Sequence, residues 1–220
     1  MRKLSLFLIS LGFVYFLQLG SENEHGSEFA LPYVVSAEEA SEVVKPIAEM
    51  MQGKQDAPIE MIEYASFTCP HCATFHADVY PKLKINYIDK GFVKFIYREV
   101  YFDKYGMWAS MIARCAGPDR FFGMTDQIYR KQSDWARAEG DVAIVTQLRK
   151  IGLLAGLDEA QLNSCLQDGE KLRALVEWYS ENAKRDKIKS TPTLVINGEK
   201  HSNQNYEKLT EILDEILKKS

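Results

Sequence analysis

Cys69-Pro70-His71-Cys72 stands between an apolar run, Pro58-Ile59-Glu60-Met61-Ile62-Glu63-Tyr64-Ala65, and a helix-forming run from Ala73 to Tyr80. A strand that feeds two thiols at the start of a helix is suited to disulfide exchange. At a helix N-terminus the free N–H groups and the macrodipole stabilise an anion, and so favour a thiolate at Cys69. The thiolate is the nucleophile of exchange. Cys72 lies about one helical turn further on, within reach of Cys69 for a disulfide. Pro70 fits the first turn, where its missing N–H costs nothing. His71 places a partial positive charge beside Cys69, which tunes the same thiol. The competing reading is half of a structural zinc site, which needs a second ligand pair. Cys115 and Cys165 are far apart and do not supply a second pair of that spacing.

A second stretch points the same way. Ser190-Thr191-Pro192-Thr193 precedes the apolar run Leu194-Val195-Ile196, which Asn197-Gly198 closes. A proline is tolerated at the start of a strand and not inside a central one. Asn-Gly then predicts a hairpin turn into Glu199-Lys200-His201. On these residues alone, an ordinary trans proline is the simpler reading.

Taken together, Glu63-Tyr64-Ala65-Ser66-Phe67-Thr68-Cys69-Pro70-His71-Cys72 and Thr191-Pro192-Thr193-Leu194 closely resemble the DsbA family. These are bacterial thiol oxidases of the thioredoxin superfamily, and the likeness is to the alpha-proteobacterial type. It covers roughly residues 41 to 220 in order of elements and is tightest at the two motifs. The resemblance implies an α/β thioredoxin fold interrupted by an inserted all-helical domain. It makes Cys69 the exposed attacking cysteine and Cys72 the buried resolving one. Pro192 would be cis and face the disulfide, with Thr191 offering backbone contacts to substrate. Glu63, six residues before Cys69, falls where the family often has an acid beneath the active site, able to assist proton movement from Cys72; a partly exposed strand carboxylate is the alternative. No metal and no cofactor is implied. The implied partners are reduced, unfolded exported proteins and a membrane-bound, DsbB-like protein that reoxidises the pair.

Two positions depart from the family pattern. Thr191 replaces the valine common before the cis-proline in typical oxidases and also occurs in isomerases. His76 falls where many relatives carry an acid, and a solvated surface histidine is expected there.

The remaining sequence sets the organisation. The 220 residues suit one domain with a large insertion or two small domains, and 46% hydrophobic residues is ordinary for a globular chain. A net charge of −4 gives no general case for nucleic-acid binding. Met1-Arg2-Lys3 followed by the apolar run Leu4 to Leu19 predicts a secretory signal peptide or signal anchor over residues 1–20. Export to the periplasm follows from it. Residues 21–40 are expected to be a linker, with a short strand near Tyr33-Val34-Val35. The thioredoxin-like part is assigned to 41–104 and 188–220, and the inserted helical domain to 105–187.

Within those bounds, Ala37 to Met51 is expected as a helix or loop around Pro46. A strand over 58–65, a helix over 70–90 kinked at Pro81, and a strand over Phe92–Val100 make a right-handed β-α-β unit, so the two strands should be parallel. Helix breaks are expected near Gly117-Pro118, Gly140-Asp141, Gly156-Leu157 and Gln167-Asp168-Gly169. Leu172, Leu175, Val176 and Tyr179 share one helical face, and Trp108 and Trp178 are assigned to the core. A final amphipathic helix runs from Tyr206 to Lys218.

Export bears on the other two cysteines. Four cysteines allow three pairings, and Cys69–Cys72 with Cys115–Cys165 is the economical one in an oxidising compartment. Trp108, Met111, Ile112 and Cys115 share a helical face. Asp158 with Gln161 forms a capping box that launches a helix with Leu162, Cys165 and Leu166 inward. A structural Cys115–Cys165 disulfide would close a loop of about 50 residues, worth roughly 4 kcal/mol by chain entropy. Two free buried cysteines are the alternative.

Three functions fit these residues. The first is an exported thiol oxidase acting through Cys69–Cys72. The second is a disulfide isomerase, which Thr191 favours. The third, of another class, is a metal-binding module using Cys69, Cys72 and a histidine.

Overall fold

Among the described residues, five strands form one sheet in the order β1-β3-β2-β4-β5, with the longest two at its centre. The structure, a computed structural model, describes residues 46–219. The expected signal segment, linker and short strand near Tyr33 lie outside the described residues, as does most of the stretch from Ala37 to Met51. The end of that stretch is not helical: Met50–Gln52 is strand β1, paired antiparallel with β3. Strands β2 (Ile59–Ala65) and β3 (Val93–Glu99) are parallel. Strand β4 (Thr193–Ile196) pairs antiparallel with β2, and β5 (Glu199–Ser202) pairs antiparallel with β4. The β4–β5 turn is Asn197-Gly198, both at positive φ (47° and 85°), the conformation that the Asn-Gly pair favours.

The segment after β2 is more broken than one kinked helix. It comprises α1 (Pro70–Asp78), α2 (Tyr80–Leu83) and a π-helical turn at Lys84–Ile88. Pro81 lies in the first turn of α2, so it starts a new helix instead of bending an old one. Six helices then fill the connection to β4: α3 (Lys104–Cys115), α4 (Pro118–Arg130), α5 (Gln132–Trp135), α6 (Gly140–Leu154), α7 (Glu159–Gln167) and α8 (Gly169–Arg185). Helix α9 (Tyr206–Leu217) closes the chain, with Leu209 and Leu213 buried. The capping box at α7 is complete, with Asp158 accepting from the Gln161 N–H and Gln161 accepting from the Asp158 N–H. Cys115 and Cys165 are joined in a disulfide, with Cα atoms 5.9 Å apart.

Alternation along the central strands sorts their side chains between two faces. Ile59, Met61, Ala65, Val93, Phe95, Tyr97, Leu194 and Ile196 enter the main core, with Phe75, Leu83, Phe121 and Leu209 from the helices. Ile62, Tyr64, Ile96 and Val195 face the opposite side, against Tyr179 and Ile188. The inserted helices therefore share a core with the sheet. The described residues all fall in one compact unit, the helices between β3 and β4 included. Trp108 and Trp178 are only partly buried. Trp178 lies 5.8 Å from the Arg98 guanidinium and 5.5 Å from that of Arg114, so its ring covers two charged groups.

This arrangement aims α1 from the end of β2 and sets the loop before β4 beside its first turn. Those two features build the site.

Candidate active site

Cys69 is the N-cap of α1, with extended backbone (φ −81°, ψ 117°), and Pro70 opens the helix behind it. Its thiol is partly exposed, while that of Cys72 is fully buried, and both are free in this structure. The Thr191–Pro192 peptide bond is cis. Cys69 Sγ donates to the Thr191 carbonyl oxygen at 3.5 Å, so the proline loop lies directly against the first cysteine. Pro192 is buried and Thr191 half-buried beside it.

The two thiols are electrostatically unlike. The Cys72 thiol, donating to the Cys69 sulfur, is the largest influence pulling Cys69 down, to about 5. Burial opposes this, and Thr191 and the backbone N–H groups of Cys72 and His71 add to it. Burial pushes the Cys72 thiol far up, with the Cys69 interaction and the Glu63 charge adding to the effect. His71 is exposed and bears on Cys69 through its backbone N–H.

Two side chains outside the two motifs hold this geometry. Gln132, buried on α5, donates to the Phe67 carbonyl at 2.8 Å and the Cys69 carbonyl at 3.0 Å. Asp103 caps α3 through the Tyr105 and Gly106 N–H groups and accepts from the Thr68 hydroxyl at 2.8 Å. Both residues lie in the helical insertion or at its start. Their link to the cysteine loop is tertiary, and no local pattern announces it.

His76 was the expected surface histidine. It is instead 4% exposed, and its Nε2 lies 2.8 Å from Glu63 Oε2. The reason is helical spacing: Cys72, Phe75, His76 and Val79 form an i, i+3, i+4, i+7 stripe that faces the sheet. Glu63 is fully buried, because its place in β2 alternates with Ile59, Met61 and Ala65 on the core face. It pairs with Tyr97 across β2–β3 and with Leu194 across β2–β4, at the centre of the sheet, and its charge bears on Cys72.

Among the described residues no group of three or more potential ligands is placed to hold a metal ion. His76, one of the two histidines available for a set with Cys69 and Cys72, is bonded to Glu63 instead.

A depressed cysteine pKa makes stability depend on pH, and the sign is determined. A free thiol titrates near 8.5, so between about 5 and 8 the unfolded reduced chain binds more protons at Cys69 than the folded one. That stabilisation is full above the unfolded value and is lost as pH falls through about 5. Cys72 stays a thiol in both states over this window. The oxidised protein has no thiol at either position to titrate. The stability of the reduced protein relative to the oxidised one is therefore expected to rise from about pH 4 to about pH 8. Paired denaturant titrations of the two forms check this; a pH-independent difference would contradict a Cys69 thiolate in the folded state.

A family model described as Thioredoxin matches residues 45–215. A Rickettsia bellii protein, provisionally named a protein-disulfide oxidoreductase, is 31% identical over 173 residues, covering 78% of this chain and 66% of that one. The disulfide bond formation protein D of Bacillus subtilis is 29% identical over 178 residues, covering 76% of each. The crystal structure of alpha-DsbA1 from Wolbachia pipientis superposes with a TM-score of 0.73 at 28% identity, covering 79% of this chain and 94% of that one. The chain spans less than two thirds of the length of the first Rickettsia relatives it matches, 61% to 66%.

Proposed function

Because the chain belongs to the thioredoxin family, with a thioredoxin fold interrupted by a helical insertion, we propose that it is an exported thiol:disulfide oxidoreductase that passes a Cys69–Cys72 disulfide to reduced client proteins. One observation carries the reading: a partly exposed Cys69, held as a thiolate at a helix N-terminus, stands over a buried Cys72 held as a thiol. Whatever stabilises the reduced pair makes its disulfide a stronger oxidant.

The reaction proceeds by two exchanges. A client thiolate attacks Cys69 Sγ of the disulfide, the S–S bond breaks, and Cys72 leaves with the electron pair. Cys72 then takes up a proton, for which Glu63, the carboxyl group whose charge bears on it, is the source. A second client thiolate attacks the client sulfur bonded to Cys69, and Cys69 departs as a thiolate. The client gains one disulfide, and the protein is left with a thiol and a thiolate. The client backbone lies along the Thr191-Pro192 loop, whose Thr191 carbonyl oxygen is 3.5 Å from Cys69 Sγ. Reoxidation falls to a membrane-bound partner of the DsbB kind. The basic residues and apolar run at the start of the chain support export. Among the described residues no helix is long and apolar enough to cross a membrane.

The test is the reduction potential of the pair, obtained by equilibrating the protein in glutathione buffers. The expected value is more oxidising than the glutathione pool. A strongly reducing value overturns the oxidase reading and leaves a reductase supplied with electrons from elsewhere. Thr191 favours a second reading, disulfide isomerisation. Recovery of activity from scrambled ribonuclease separates the two, since an oxidase without isomerase activity leaves the scrambled enzyme inactive.

A further inference from the structure

Cys72 poses a problem that the two exchanges do not solve. It is fully buried, yet it must gain a proton in one half of the cycle and lose it in the other. Glu63 is also fully buried, so it cannot trade that proton with water directly. One of its oxygens, Oε1, has no hydrogen-bond partner, while the other is bonded to His76 Nε2. The imidazole has a second nitrogen, Nδ1, and the ring lines a cleft of about 120 Å³ between α1 and α4. Ala73, Ala77, Tyr129, Asp126 and Arg130 complete its walls, and Ala77 and Arg130 are exposed at its edge.

We propose that His76 relays protons between Glu63 and solvent in this cleft, so that Cys72 can be protonated and deprotonated while it remains buried. The proposal rests on the thiol-exchange reading above and supplies its proton path. Imidazole is suited to the task because one nitrogen accepts a proton as the other releases one. In reoxidation, Cys72 gives its proton to Glu63 Oε1 and attacks the Cys69 sulfur of a mixed disulfide. The bond from Cys69 to the partner sulfur breaks, and that sulfur leaves with the electron pair. Glu63 passes the proton to Nε2, and Nδ1 releases one into the cleft. Client oxidation runs the same path inward. His76 touches neither sulfur; it is a positioning residue that acts through Glu63.

The groups around the ring leave the path to these two residues. Tyr80 of α2, Tyr97 of β3 and Tyr129 of α4 pack on it, with Tyr129 stacked at 4.4 Å between ring centres. Burial pushes all three phenols up, so none ionises near neutral pH. The Tyr97 and Tyr129 hydroxyls bond each other at 2.7 Å, and Tyr129 donates to the Ser66 carbonyl. At the cleft, Asp126 and Arg130 of α4 are paired with each other at 2.8 Å. Cys72 is the remaining titratable group, and it is the thiol the path serves.

The experiment follows reoxidation of the reduced full chain by glutathione disulfide, resolving the glutathione adduct on Cys69 by quenching and mass measurement. His76→Gln can still donate to Glu63 but cannot carry a proton across. Its adduct is expected to resolve roughly 10²-fold more slowly near neutral pH. The deficit should shrink as pH rises and hydroxide replaces the relay, while the reduction potential changes little. In His76→Ala, added imidazole should restore the rate and pyrazole, equal in size but scarcely basic, should not. Ala77→Phe, an exposed change that plugs the cleft without touching the Glu63–His76 bond, should slow resolution with the same pH dependence and serves if the His76 variants fold poorly. Native resolution rates across pH in His76→Gln, or in a folded Ala77→Phe, would overturn the relay. Equal rescue by imidazole and pyrazole would also overturn it, since that marks a packing role. If the native protein does not exchange with glutathione disulfide at all, the oxidoreductase reading fails first.

Discussion

Replacing Cys72 with alanine is expected to abolish turnover and to leave glutathione bound to Cys69 in one-to-one stoichiometry after exposure to glutathione disulfide. The argument is one of position. Cys69 is the only thiol of the pair with access to solvent, so it attacks and acquires the adduct. The group that would displace the adduct is the buried Cys72, one helical turn away, and no other free thiol exists among the described residues. The variant also loses the thiol that contributes most to lowering the Cys69 pKa. Attack by Cys69 near neutral pH should therefore be slower, while the adduct, once formed, persists until a reductant is added. Cys69→Ala is expected to take no adduct, because Cys72 is both inaccessible and held as a thiol. Intact mass measurement distinguishes the two variants directly. An adduct on Cys69→Ala, or prompt loss of the adduct from Cys72→Ala, would assign the attacking role wrongly.

The parts of the fold that could be read in the sequence are those built from local rules. Strand, cysteine pair and helix follow one another within 20 residues, and the parallel β2–β3 pairing follows from the handedness of such units. Asn197-Gly198 and the Asp158–Gln161 box encode their geometry in two and four residues. What escaped the reading is tertiary. Central strands are covered on both faces, so β2 has no polar side against which Glu63 could be recognised as inward. The His76 stripe with Cys72 and Phe75 was legible by spacing, but a histidine in a helix next to an exposed motif looks solvated until the sheet beneath it is known. Gln132 reaches the Phe67 and Cys69 carbonyls across more than 60 residues of sequence. The same holds for charge. Arg98 and Arg114 look like surface residues of a strand and a helix, yet both guanidinium groups are nearly buried.

Arg114→Leu is expected to cost about 3–5 kcal/mol of stability, several times what an exposed ion pair contributes. Arg114 Nε and Nη2 grip the two oxygens of Glu99 at 2.5 and 2.7 Å, and both side chains are at most 2% exposed. Nη1 donates to the Ala48 carbonyl at 3.0 Å, Ser110 donates to Glu99 at 3.1 Å, and the Phe121 ring lies 5.7 Å from the guanidinium. The pair thus ties the end of β3 to α3, to the segment before β1 and to α4, at the point where the chain leaves the sheet for the helical insertion. Removing Arg114 alone strands a carboxylate where water cannot reach it, and that desolvation is the source of the large cost. Removing both charges, as in Glu99→Leu with Arg114→Leu, strands none. The double variant is therefore expected to be no less stable than the single, even though it deletes more polar contacts. Urea unfolding of both variants measures the difference. A single-variant cost below about 1 kcal/mol would mean that solvent reaches Glu99 and that the insertion is held to the sheet by its apolar core alone.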